Sequence, residues 1–297
     1  MKQRRGVVRG VFAGAGGDLA LAGLSTQLFA LNATAREFVL TKSKVHLQDR
    51  SMLNIHAVLR KIDNKLISWL SAERQGLERH RRGHVRDFYH WGGPMNGQTA
   101  RAEFIRSLIQ NSGVERVVET GAYQGTTTEW FAGFELPVVT CEIDRAAYAF
   151  ARKRLENYSN VEIIHANSVD VLKQLSQRDT IHAKTLFYLD AHWREYLPLA
   201  DELALIFRYW RHSVIVIDDF AVPGDAGYGY DDYGPGRALV PSLVHAVPGA
   251  PETLYYPSVP ARWETGLKRG CVVLSTDPDF EAALAATPQL RPVRRGD

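Results

Sequence analysis

Cysteine is almost absent: Cys141 and Cys271 are the only two among 297 residues. Each lies in an apolar run that reads as a strand, and the two are not at metal-ligand spacing. A disulfide scaffold and a thiolate metal centre are therefore excluded, and a reducing, cytoplasmic setting is expected. Also missing is an unbroken apolar run of the ~20 residues that a bilayer crossing requires. The apolar stretch from Val7 to Leu31 is interrupted by Arg9, Asp18 and several glycines, so neither a secretory leader nor a membrane span is expected. Charge of one sign is not in surplus either. The 36 Lys and Arg against 33 Asp and Glu leave +3, without the basic stripe of a nucleic-acid binder. A dinucleotide loop is lacking too: Ala13-Gly14-Ala15-Gly16-Gly17 meets Leu19 where a third glycine belongs, and no βαβ unit follows.

What is present, 45% hydrophobic and 23% charged residues, is the composition of a folded domain with an ordinary core. Residues 1–90 read as a helical extension. Met52, Ile55, Leu59, Ile62, Leu66 and Trp69 recur at alternating steps of three and four, a short heptad seam on a helix across 45–72. That seam fits equally a homo-oligomer contact and a helix packed on its own domain. The basic run Arg74, Arg79, His80, Arg81, Arg82, His84 and Arg86 suits a solvated linker more than an anion-binding surface.

Residues 91–297 alternate regularly. Strands are expected at Arg116–Thr120, Val138–Asp144, Val161–Ala166, Thr185–Asp190 and Ser213–Asp218. The expected helices are Arg101–Asn111, Thr126–Phe134, Arg145–Tyr158, Val169–Gln177 and Leu197–Trp210. This pattern predicts a doubly wound, Rossmann-like α/β domain with a mostly parallel sheet. Two later strands, near Thr253–Tyr256 and Gly270–Ser275, add an antiparallel edge. Ligands are expected at the C-terminal ends of the strands.

Those strand ends carry the chemistry. The first runs into Glu119-Thr-Gly121-Ala-Tyr-Gln-Gly125, where Gly121 and Gly125 permit a tight turn and close backbone approach. Their spacing and the preceding acid disfavour a pyrophosphate, whereas Glu119 could pair with the amino group of S-adenosylmethionine. Glu142, at the second tip, can accept from both hydroxyls of a ribose. Asn167 and Ser168, after the third, could read an adenine edge or cap a helix. Asp190, Asp218 and Asp219 end the neighbouring fourth and fifth strands, and three clustered carboxylates call for a divalent cation such as Mg²⁺. Such an ion would bind and acidify a substrate hydroxyl, with His192 close enough in sequence to act as general base. The Gly/Tyr/Asp-rich segment 221–237 is expected to form a mobile lid, with Tyr228, Tyr230 or Tyr233 touching substrate.

In this order, from Asn96-Gly97-Gln98 through Val222-Pro223-Gly224, the motifs resemble the catechol O-methyltransferase family. The resemblance implies cofactor roles for Glu119, Gly121, Ala122, Tyr123, Gly125 and Thr127, a ribose-binding role for Glu142 and an adenine-side role for Ser168. Phe187-Tyr-Leu-Asp190-Ala-His192-Trp193-Arg194-Glu-Tyr-Leu-Pro198 is similar to its fourth-strand motif with one residue added. Asp190 would then be a metal ligand, His192 and Trp193 would border the adenine, and Asp218-Asp219 would take the place of an Asp-Asn pair.

The family's catalytic lysine falls at Arg194, which stays protonated and cannot be a base, although it could still contact substrate. Either His192 takes the proton, as a histidine near this position does in related sugar and macrolide O-methyltransferases, or the metal suffices. Val169 stands where the family has an adenine-side glutamine. The expected activity is metal-dependent methyl transfer from S-adenosylmethionine to a hydroxyl of a small molecule, such as a sugar, a polyketide or another natural product. The competing readings are a metal-dependent hydroxylase on the same fold and a non-catalytic cofactor-binding module.

Overall fold

A computed structural model of the chain describes residue 61 and residues 64–82, 93–193 and 196–296. The chain divides into two units, Met1–Ile62 and Asp63–Asp297. Nearly all of the first lies outside the described residues, including Met52, Ile55, Leu59 and Ile62 of the heptad seam. In the second unit Ile67 is buried, whereas seam residue Trp69 is 67% exposed.

Five parallel strands, β1 (Arg116–Thr120), β2 (Val138–Glu142), β3 (Val161–His165), β4 (Thr185–Leu189) and β5 (Ser213–Asp218), form most of the sheet. It continues through β6 (Thr253–Pro257), β7 (Cys271–Ser275) and β8 (Leu290–Arg294) in the order β3-β2-β1-β4-β5-β7-β6-β8. β7 runs antiparallel to β5, and both β7 and β8 pair antiparallel with β6. The order reverses between β1 and β4, which opens the crevice where a doubly wound sheet binds its ligand.

Alternate strand residues feed two cores. Val118, Cys141, Phe187, Leu189, Ile215 and Ile217 share one with the helices Ser168–Leu175 (α5) and Leu199–Tyr209 (α6). Val117, Leu186, Tyr188, Val214 and Val216 share the other with Thr99–Asn111 (α2), Thr126–Ala132 (α3) and Pro278–Ala285 (α8). Helix starts are set by short polar side chains. Asp144 accepts from the Ala147 amide at 2.8 Å to open Arg145–Arg154 (α4), and Asn167 accepts from Asp170 at 2.9 Å to open α5. Pro241–His245 forms the short α7.

The helix Ala72–Arg81 (α1) belongs to the compact unit, upstream of the boundary expected at residue 90. Gly76 lets its backbone meet α4 so closely that a Cβ there would overlap the Ala146 carbonyl. The His80 and Phe150 rings add an edge contact at 5.1 Å. Part of the basic run thus lies on a packed helix. Among the described residues no helix is long and apolar enough to cross a membrane.

Candidate active site

The loop after β1 turns over the β2 tip. Gly121 (φ 84°) takes a left-handed conformation, and a Cβ on it would overlap the Asp190 carbonyl, so only glycine fits. The Gly121 and Ala122 amides donate to the Cys141 carbonyl at 3.1 and 2.9 Å. Gly125 (φ 79°) closes the turn onto the Ala122 carbonyl at 2.7 Å and starts α3. Tyr123 is exposed, and its amide donates to Glu142 Oε2 at 2.7 Å while the Asp144 amide donates to Oε1 at 2.7 Å. Glu142 is therefore fixed at the β2 tip before any ligand arrives. Burial raises its pKa.

Glu119 lies beneath this loop. Its Oε2 accepts from Thr128 and from Thr140, the latter at 2.6 Å, and burial pushes its carboxyl up to about 7. Thr127 faces the 3-10 turn Pro94–Gly97, its Oγ1 accepting from the Met95 amide at 3.3 Å. Asn167 is the α5 cap, and the buried Ser168 Oγ is 3.4 Å from the Tyr196 hydroxyl. Trp193 is 60% exposed, held by two backbone hydrogen bonds with Tyr196 at 2.8 and 3.0 Å. Arg194 lies outside the described residues.

Beside this pocket Asp190, His192 and Asp219 bring one potential ligand atom each within 4.8 Å of one another. His192 Nε2 is buried, has no hydrogen-bond partner and stands 3.8 Å from Asp190 Oδ1. Burial lowers the imidazole pKa and so favours the neutral form. Desolvation, then Asp218 and Asp219, push Asp190 well above the usual carboxylate range. Burial and Asp218 raise Asp219 to about 7, although Arg269 Nε donates to its Oδ1 at 2.6 Å.

Asp218 does not join that group. It is 1% exposed, and its Oδ2 accepts from the Tyr188 hydroxyl at 2.5 Å and Asn96 Nδ2 at 3.1 Å. Its Oδ1 accepts from the Asp219 amide at 2.7 Å and from the buried guanidinium of Arg101. Four donors on a buried carboxylate leave little for a metal, so the structure moves this residue from ligand to counterion. Arg101, Arg269, Asp231, Tyr188 and Asn96 were not singled out from the sequence. Arg101 did carry a signal: it shares the apolar stripe of α2 with Phe104, Ile105 and Leu108, where an arginine needs a buried acid.

Segment 221–237 is strapped down and is no free flap. Asp231 donates its amide to the Asp219 carbonyl at 2.9 Å, and its side chain accepts from Arg269 and from the Tyr233 hydroxyl. Tyr228 is 3% exposed with its hydroxyl on the Val259 carbonyl at 2.8 Å, so it is a core residue and not a substrate contact. Tyr233 is half-buried, its hydroxyl also 3.3 Å from the His192 carbonyl. Tyr230 stays exposed.

The residues fit a divalent cation. Four carboxylates (Asp190, Asp218, Asp219 and Asp231) share two guanidiniums, Arg101 and Arg269; burial and mutual repulsion raise Asp190 and Asp219 toward the neutral acid beside the unpartnered His192 Nε2, a repulsion that a bound cation would relieve.

A family model described as O-methyltransferase matches residues 70–225. Curated proteins give no match. Three similar solved structures each align with 73% of this chain and 96% of their own. They are a putative O-methyltransferase from Klebsiella pneumoniae (19% identity, TM-score 0.44), the O-methyltransferase from Bacillus cereus in complex with SAH (18%, 0.47), and the O-methyltransferase TomG from Streptomyces achromogenes, involved in tomaymycin synthesis, in complex with SAM (19%, 0.46).

Proposed function

Since the chain belongs to the O-methyltransferase family, we propose that it transfers the methyl group of S-adenosylmethionine to a hydroxyl of a small molecule at the tips of β1, β4 and β5. A sugar or polyketide hydroxyl is the acceptor class we favour, with Tyr230, exposed and one residue before Asp231, as its candidate aromatic contact. The observation that carries this reading is the buried, unpartnered His192 Nε2 next to Asp190 and Asp219.

Glu142, already braced by two amides, receives the ribose hydroxyls. Gly121 gives the cofactor clearance above Asp190, while Ala122 and Tyr123 border it and Ser168 and Trp193 flank the adenine. Asp190 and Asp219 would hold a divalent cation, with Mg²⁺ or Mn²⁺ suiting an oxygen-rich set beside one imidazole. When bound, such an ion lowers the pKa of an acceptor hydroxyl and fixes its direction. The neutral His192 takes the hydroxyl proton as the oxygen attacks the methyl carbon. The new C–O bond forms as the C–S bond breaks, and its electron pair leaves with the sulfur of S-adenosylhomocysteine.

Calorimetry with S-adenosylhomocysteine, with and without Mg²⁺ or Mn²⁺, followed by acceptor screening, tests this reading. His192→Gln should lower turnover by about 100-fold or more while leaving cation affinity intact. Loss of cation affinity in that variant would make His192 a ligand instead of the base. Equal turnover in chelator would remove the metal.

A further inference from the structure

Gln98, from the Asn96-Gly97-Gln98 motif, has no part in the methyl transfer, yet it is 1% exposed. It stands at the N-cap of α2, where Ser, Thr, Asn or Asp usually accepts from a first-turn amide, and its side chain caps nothing. The connection between β6 and β7 supplies the caps instead. The Thr99 amide donates to Thr265 Oγ1 at 2.8 Å and the Ala100 amide to Glu264 Oε1 at 3.2 Å. The Gln98 carboxamide is turned onto the same connection, and its Oε1 accepts from the Arg269 amide at 2.6 Å. Arg101, one turn along α2, donates to the Arg269 carbonyl. Both backbone polar groups of Arg269 are thus held by side chains from the start of α2. From that anchored backbone the guanidinium reaches two acids: Nε donates to Asp219 Oδ1 at 2.6 Å and Nη2 to Asp231.

We propose that Gln98 is a positioning residue for the candidate cation site: it fixes the Arg269 backbone, and through the guanidinium it sets the direction of the Asp219 carboxylate. The inference rests on the metal-dependent reading. Asp219 is a residue that needs such support. Its backbone takes a left-handed φ of 52°, which few non-glycine residues adopt, and its side chain has several rotamers open to it at the cleft. The bond from Arg269 selects the one in which a carboxylate oxygen lies within 4.8 Å of ligand atoms of Asp190 and His192. The rest of the connection is fastened separately, by the Leu267 amide on the Asn96 carbonyl at 3.0 Å and by Thr265 Oγ1 on the Gly97 carbonyl at 2.8 Å. Removing the Gln98 oxygen therefore loosens Arg269 without detaching the loop, and a cation must then order Asp219 as it binds.

The test is calorimetric titration of the full chain with Mn²⁺ and, in the same preparations, with S-adenosylhomocysteine. Gln98→Met, neutral and close in volume, removes the acceptor. Mn²⁺ affinity should fall by about tenfold or more while S-adenosylhomocysteine affinity changes by less than about twofold. Gln98→Asn, which keeps a carboxamide but draws it back by one carbon, serves where Gln98→Met fails to fold, with the same split expected. Unchanged Mn²⁺ affinity, or an equal fall in both affinities such as a merely structural role would produce, overturns the proposal. No Mn²⁺ binding by the wild-type chain instead overturns the metal reading itself, and the proposal with it.

Discussion

Asp218 spends its carboxylate on Arg101, Tyr188, Asn96 and a backbone amide, whereas Asp219, one residue on, turns through a left-handed φ of 52° and faces the cleft beside Asp190. Substitutions at the two should therefore fail differently. Asp218→Asn leaves the Arg101 guanidinium buried without a counterion and should cost about 3–5 kcal/mol, read as a lowered urea midpoint. Asp219→Ala and Asp190→Ala should fold, bind S-adenosylhomocysteine and lose metal-stimulated turnover by roughly 100-fold. A stable, metal-deficient Asp218→Asn would restore that residue as a ligand. The acidic cluster was legible in the sequence because parallel strand tips must be neighbours. Asp218's withdrawal from it was not, because its partner Arg101 sits 117 positions upstream on another element.

Among the elements, β1, β2, β4 and β5 could be read because each is a short run buried on both faces, and β3, at the sheet edge and only partly buried, because its Val161, Ile163 and Ile164 still form a short β-branched run. The antiparallel pair β6 and β7 was also legible, but β8 was not: Leu-Arg-Pro-Val-Arg alternates with charge and holds a proline that only an edge strand tolerates. α1 hid in a basic run, and its docking is revealed only by Gly76. Gly76→Leu should separate α1 from α4 at a cost of about 1–3 kcal/mol, because the obstructing atom is a backbone carbonyl that cannot repack. For segment 221–237 the glycine and polar content suggested motion, yet the fastening comes from Arg269, 32 residues beyond its end. Arg269→Met should expose that segment to limited proteolysis and raise acceptor KM while S-adenosylhomocysteine affinity holds. Unchanged cleavage would show that the backbone pairing alone secures it.

At the scale of the molecule, the buried acids set how stability runs with pH. Glu119 and Glu202 are each raised from 4.5 to about 7 by burial. Between those values the folded chain holds protons that the unfolded chain has released, so unfolding free energy falls as pH rises through the window. At about 1.36 kcal/mol per pH unit, each glutamate removes up to about 3 kcal/mol by neutrality. The acid limb has the opposite sign. Glu162 is lowered by its bond to Arg178, so its contribution is present above its unfolded value and lost as pH falls through the folded one. The two limbs together place the stability maximum on the acid side of pH 7. Urea unfolding in chelator across about pH 4–9 should show that maximum, and Glu202→Gln should make the descending limb shallower, with Asp190, Asp219 and Glu142 supplying part of what remains. A rising limb from pH 5 to 7 would mean that these carboxyls are ionised in the folded chain and that the floor of the cofactor pocket is wetter than its burial indicates.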